Sequence, residues 1–237
     1  MLTRRLETTA TPPVVTSGGM TVGETVRNTF ALFLAAFASG AFAWMNADTW
    51  PVWVLWGSLL AGLGLVIVAT IKPRLAQYLA IPYALLEGVV LGYISRLYEN
   101  QFSGIVLQAI LATAVVFAVM LFLYASRIIK VTQRLRSIVV GATLGILAFY
   151  VVSLVGSMFG WNMPLVWDSG PLGILFSLVV AGVAAFNLLL DFDLIENGVR
   201  ANAPEWMNWF AAMGLMVTLV WLYLEILRLL GKIQSRD

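Results

Sequence analysis

Seven long apolar stretches alternate with short polar breaks along this chain. They fall at about residues 28–45, 51–71, 75–95, 103–125, 137–160, 170–195 and 207–230. Each comes close to the ~20 residues an α-helix needs to cross the hydrocarbon core of a bilayer. The breaks carry residues that end helices: "NADTWP" after the first stretch, "KPR" after the second, "YENQFSG" after the third, "GWNMPLVWDSGP" before the sixth and "ENGVRANAPEW" before the seventh. Proline removes a backbone donor, and glycine enters conformations a helix does not use. The pattern predicts an all-α integral membrane protein with seven transmembrane helices. Residues 1–27 read as a polar, disordered tail and 28–237 as one seven-helix membrane domain, because no break is long enough for a soluble domain. The tail has no apolar run of the kind a secretory signal carries.

Composition strengthens this reading. The chain is 61% hydrophobic and 11% charged, where a soluble domain carries about 25% charged residues. Cysteine and histidine are both absent. Disulfides, thiolate metal sites and Ser–His catalysis are therefore excluded, and no phosphate-binding loop or zinc-protease motif is present, so no enzyme and no cofactor are expected. Without histidine, proton or cation chemistry falls to carboxylates. The net charge of +2 gives no nucleic-acid signature. The expected partners are the lipid bilayer and protons or other cations.

Basic residues set the expected orientation. If the N-terminal tail is cytoplasmic, Arg4, Arg5, Arg27, Lys72, Arg74, Arg127, Lys130, Arg134, Arg136 and Arg200 lie inside, and Arg96, Arg228, Lys232 and Arg236 lie outside. Cytoplasmic loops carry the excess of Lys and Arg, so this is the favoured topology. Trp44, Trp50, Trp53, Trp161, Trp167, Trp206 and Trp209 fall near the predicted interfaces, where an amphipathic ring is well placed as an anchor.

Ionisable residues at membrane depth cost about 2.5–3.5 kcal/mol on insertion scales and are functional candidates for that reason. Glu87 lies roughly 18 Å into the third stretch at the helical rise, and Gly88 and Gly92 beside it offer a face for close helix contact. The stretch "NLLLDFDLIENGV" at 187–199 ends the sixth helix in acids, where the helix dipole makes acids unwelcome. Asp191 and Asp193 are about 200° apart around a helix. Asp191 shares a face with Asn187 and is expected to point inward. Asp193 and Glu196 are expected to face water and form an acidic vestibule that concentrates cations. Glu225 and Arg228 are three apart and can pair. With Arg96 they are expected to form an ion cluster at the outer rim.

The segments "YALLEGVVLGYIS", "MLFLYASRIIKVT", "LLLDFDLIENG" and "TLVWLYLEILRLL", in this order on seven spans, resemble the Bax inhibitor family of membrane proteins, specifically its bacterial branch. The resemblance covers about residues 20–234. It implies a central helix wrapped by six others and a pH-dependent calcium leak. In that family an acid in a D-x-x-x-I motif pairs with an acid in an L-Y-L-D motif as a pH-sensitive latch. Asp191 with Ile195 matches the first. For the second, "LYLE" gives Glu225, while alignment on "ILRLLG" puts Thr218 at the acidic position. Asp191 lies about ten residues before the last turn, so Thr218 is the nearer in level and Glu225 is over roughly 16 Å away at the helical rise.

The expected function is a passive cation (calcium) leak channel gated by carboxylate protonation. Asp191, Glu87 and Thr218 mark its ion pathway or proton sensor, and Asp191 is a candidate metal ligand. Asn187, Ser177 and Thr113 are further polar groups along the way. The competing expectation is a non-transporting membrane protein that binds and regulates a partner complex.

Overall fold

The computed structural model describes residues 18–160 and 169–235. The tail expected to be disordered lies mostly outside these residues, as do Trp161 and Trp167. The first helix, α1, runs Val22–Asn46 and starts about six residues before the expected edge. An N-cap explains the early start: the Thr21 side chain accepts from the Glu24 amide at 3.1 Å, with an acid in the first turn. The others are α2 (Trp53–Ile71), α3 (Ala76–Gln101), α4 (Ile105–Ala125), α5 (Gln133–Met158), α6 (Pro171–Arg200) and α7 (Met207–Gln234). A short 3₁₀ turn, Pro73–Leu75, joins α2 to α3. All seven helices are long and apolar enough to cross a membrane.

Several ends have legible causes. Glu99 caps α4 by accepting from the amides of Gly104 at 2.6 Å and Val106 at 3.2 Å, an acid at the positive end of the helix dipole. Thr132 caps α5 through the Leu135 amide, and Pro171 opens α6 where its missing N–H costs nothing. Pro82 lies within α3 without ending it.

The central helix is α7. Its buried positions run from Asn208 to Lys232 around its whole circumference. It packs against α1, α3, α4 and α6, and Tyr150 of α5 reaches it through a hydrogen bond. Two apolar cores flank it. One joins α4, α6 and α7 through Ile105, Leu188, Leu189, Leu222 and Leu227. The other joins α1, α2, α3 and α7 through Leu32, Ala80, Ala84, Met216 and Val220. In the second core α1 crosses α3 backbone to backbone: a Cβ at Gly92 would stand 2.1 Å from the Gly40 carbonyl oxygen. The peripheral helices α2 and α5 turn large apolar side chains outward, among them Leu63, Ile67, Leu144 and Val151. Acyl chains are the medium that suits such surfaces.

Chain direction alternates from helix to helix. The start of α1, the α2–α3 and α4–α5 connections and the α6–α7 turn lie on one side, termed the basic side. It carries Arg27, Lys72, Arg74, Arg127, Lys130, Arg134, Arg136 and Arg200. Arg96 and Arg228 fall toward the opposite side.

Candidate functional site

Asp191 is presented by α6 to α7. Its Oδ1 lies over Gly214, where an added Cβ would stand 3.8 Å away. The small residue lets the carboxyl approach the backbone of the central helix. Thr218, one turn further along α7, supplies the hydroxyl facing the carboxyl. That hydroxyl donates to the Gly214 carbonyl at 3.3 Å, and Asp191 Oδ2 is buried with no hydrogen-bond partner among the described residues. Buried polar atoms without partners are rare in folded proteins. A lone carboxyl in this setting can take up or release a proton. Calcium takes 6–8 oxygen ligands, and no group of three or more acids that could hold a metal occurs among the described residues. The metal role expected for Asp191 therefore finds no second carboxylate to support it.

The expected acidic vestibule is not what Asp193 and Glu196 form. Asp193 pairs with Arg136 of α5 at 2.5 Å and accepts from Asn197 at 2.9 Å. Glu196 accepts from Arg127, Arg200 and the Tyr124 hydroxyl. Three guanidiniums surround two carboxylates, so the local field does not attract cations. The sequence placed these acids on the water side of the helix, and there the basic α4–α5 connection meets them.

Glu225 does not meet Asp191. Its carboxylate accepts from Tyr150 at 2.8 Å and from Arg228 Nη1 at 2.8 and 3.0 Å. Arg228 also donates to the Tyr150 oxygen at 2.6 Å and lies over its ring at 5.2 Å. Glu225 is 1% exposed, so the cluster is inside the bundle and not at a wet rim. Arg96, expected to join it, sits elsewhere. It bonds Asp48 at 2.8 and 3.2 Å and lies over Trp44 at 5.6 Å. In the α1–α2 connection, the hydrogen bond from Arg96, with that from Asn100 second, holds the Asp48 carboxyl below its usual value of 3.8.

Glu87 faces α2, where a Cβ at Gly62 would stand 3.6 Å from its Oε2. No hydrogen bond joins it to Asp191 among the described residues. The remaining polar candidates do not form a line. Asn187 donates to Thr143 of α5 at 2.8 Å. Ser177 is buried with an unpartnered hydroxyl, and Thr113 lines a groove between α1 and α4.

Two features escaped the sequence reading. One is Tyr150, an aromatic at an apolar position whose hydroxyl only a buried charge explains. The other is Asn208, 1% exposed. It accepts from the Thr21 amide at 3.1 Å and the Thr25 hydroxyl at 2.9 Å, and donates to Glu24 at 2.9 Å. This amide clamps the start of α1 to the start of α7. An amide in the aromatic string "EWMNWF" was the available signal.

The family model described as Bax inhibitor 1 like covers residues 2–235, nearly the whole chain. No curated protein matches it.

Proposed function

Because the chain belongs to the Bax inhibitor 1-like family, we propose that it is a passive cation leak of the membrane, caught here in a closed arrangement and gated by protonation of Asp191. The observation that carries this reading is the Asp191 carboxyl, buried between α6 and the central helix with Oδ2 unpartnered. A proton added or removed there changes the charge at a helix–helix contact, where burying an unpaired charge is costly. The contact is then a two-state element biased by pH. The excess of Lys and Arg on the basic side supports a cytoplasmic N-terminus. Purified protein in sealed liposomes, loaded with a calcium-sensitive dye, tests the reading: flux above that of empty liposomes that changes with pH is expected.

A second reading is a non-transporting protein that regulates a partner complex. It is favoured by the arginines that neutralise Asp193, Glu196 and Glu225, which leave few free carboxylates along the bundle. Flux no greater than that of empty liposomes at every pH would select it.

A further inference from the structure

The helices α1 and α4 stand apart on one flank of the bundle, and a groove of about 1220 Å³ runs between them. Its floor is the central helix, through Leu215, Leu219 and Tyr223, four residues apart and hence on one face. Its walls include Phe33 of α1 and Phe117 of α4. The groove opens sideways between α1 and α4, and its floor residues cover about 12 Å of the central helix at the helical rise. Left empty, its lining would forgo its dispersion contacts.

Polar groups gather at its ends, and the basic end has a particular charge. Arg127 adopts a positive φ of 59°, uncommon outside glycine. It lies over the Tyr124 ring at 5.7 Å, beside Glu196 at the groove mouth. Glu196 Oε1 already accepts from both Arg127 and Arg200, so two guanidiniums share one carboxylate and the trio keeps one positive charge. The Arg127 side chain is 52% exposed, leaving its outer donors open. The surrounding loop and helix end hold Arg127, Lys130, Arg134, Arg136 and Arg200 against Asp193 and Glu196.

We propose that this groove is a binding site for one anionic membrane phospholipid, with its acyl chains along α7 and its phosphate on Arg127. A phosphate oxygen can bond the open donors of the Arg127 guanidinium, and a headgroup of net negative charge suits the positive mouth better than a zwitterionic one, whose added cation the guanidiniums repel. The apolar floor alone would accept any acyl chain, so the headgroup preference belongs to the mouth.

Native mass spectrometry of the delipidated full chain, with phosphatidylglycerol and phosphatidylcholine of identical acyl chains as probes, tests the assignment. One phosphatidylglycerol per chain is expected to be retained, about tenfold (about 1.4 kcal/mol) more tightly than phosphatidylcholine, whose choline cation the positive mouth disfavours. Ala41 and Ala114 line the two walls and are exposed. The double substitution Ala41→Trp/Ala114→Trp fills the groove and is expected to abolish retention of both lipids. Arg127→Asn removes the charge with a residue that tolerates positive φ, and is expected to equalise the two lipids while keeping binding. Equal retention of the two by the wild type would overturn the proposal, as would retention by the folded tryptophan variant. A dimer that the tryptophans dissociate would assign the groove to a second copy instead. If the tryptophan variant does not fold, Arg127→Asn still decides: an undiminished preference for phosphatidylglycerol overturns the assignment.

Discussion

Removing Arg228 should cost far more than an ion pair near a membrane surface usually does. Exposed pairs contribute about 0–1 kcal/mol. Here the Glu225 side chain is 2% exposed and that of Arg228 23%, and the two share four hydrogen bonds with each other and with Tyr150. Arg228→Met keeps an unbranched apolar stem but strips Glu225 of its cation, leaving the Tyr150 hydroxyl as its donor. Breaking a buried pair from one side costs about 3–5 kcal/mol, and Glu225→Leu, which strands the guanidinium, should cost a similar amount or somewhat less because Arg228 is partly exposed. With both charges gone, the remaining penalty is the unpaired Tyr150 hydroxyl, about 1–3 kcal/mol. The double variant is therefore expected to be more stable than at least one single variant, with a coupling of about 3 kcal/mol or more across the cycle. Equilibrium unfolding by SDS titration from mild detergent measures all four proteins, provided separate probes give coincident transitions. Single losses below about 1 kcal/mol that simply add would refute the reasoning and place the pair in water.

Gly92→Ala puts a methyl group 2.1 Å from the Gly40 carbonyl oxygen, so α1 must shift; a loss of about 1–3 kcal/mol in the same unfolding assay is expected, while Gly141→Ala, with open space around it, should cause none. Asp48→Asn tests the opposite regime. Because Asp48 titrates below its usual 3.8 in the folded protein, its contribution is present above that value and is lost as pH falls through the lowered one. The wild-type advantage in thermal stability over Asp48→Asn should accordingly vanish in acid below that window and shrink in high salt. An advantage that persists there would show that the charge is not involved.

The helices were legible because apolar runs of membrane length have few alternative folds. Their edges were less so: α1 begins at Val22, where the Thr21 cap and the bonds to Asn208 outweigh the polar look of the segment, and α3 extends to Gln101, with Asn100 bonded to Asp48. Depth along the last hairpin placed Asp191 near Thr218 and away from Glu225, since the helical rise is fixed. Lateral packing was not readable. Nothing in "LYLEILRLL" tells whether Glu225 faces water or Tyr150, because a tyrosine on another helix decides it. The same gap hid the arginine partners of Asp193 and Glu196, since exposed acids and a basic loop look independent until folding brings them together. Arg96 was grouped by depth alone, and Asp48 in the neighbouring connection claimed it.

The central claim is that Asp191 couples protonation to cation passage. The direct measurement is calcium flux through purified protein in liposomes from about pH 5 to pH 8, a window that buried carboxyls reach, with Asp191→Asn beside the wild type. Asparagine keeps the shape and hydrogen-bonding capacity but does not titrate. A wild-type flux that varies with pH and an Asp191→Asn flux that stays flat is the expected result; pH curves that superimpose would contradict it.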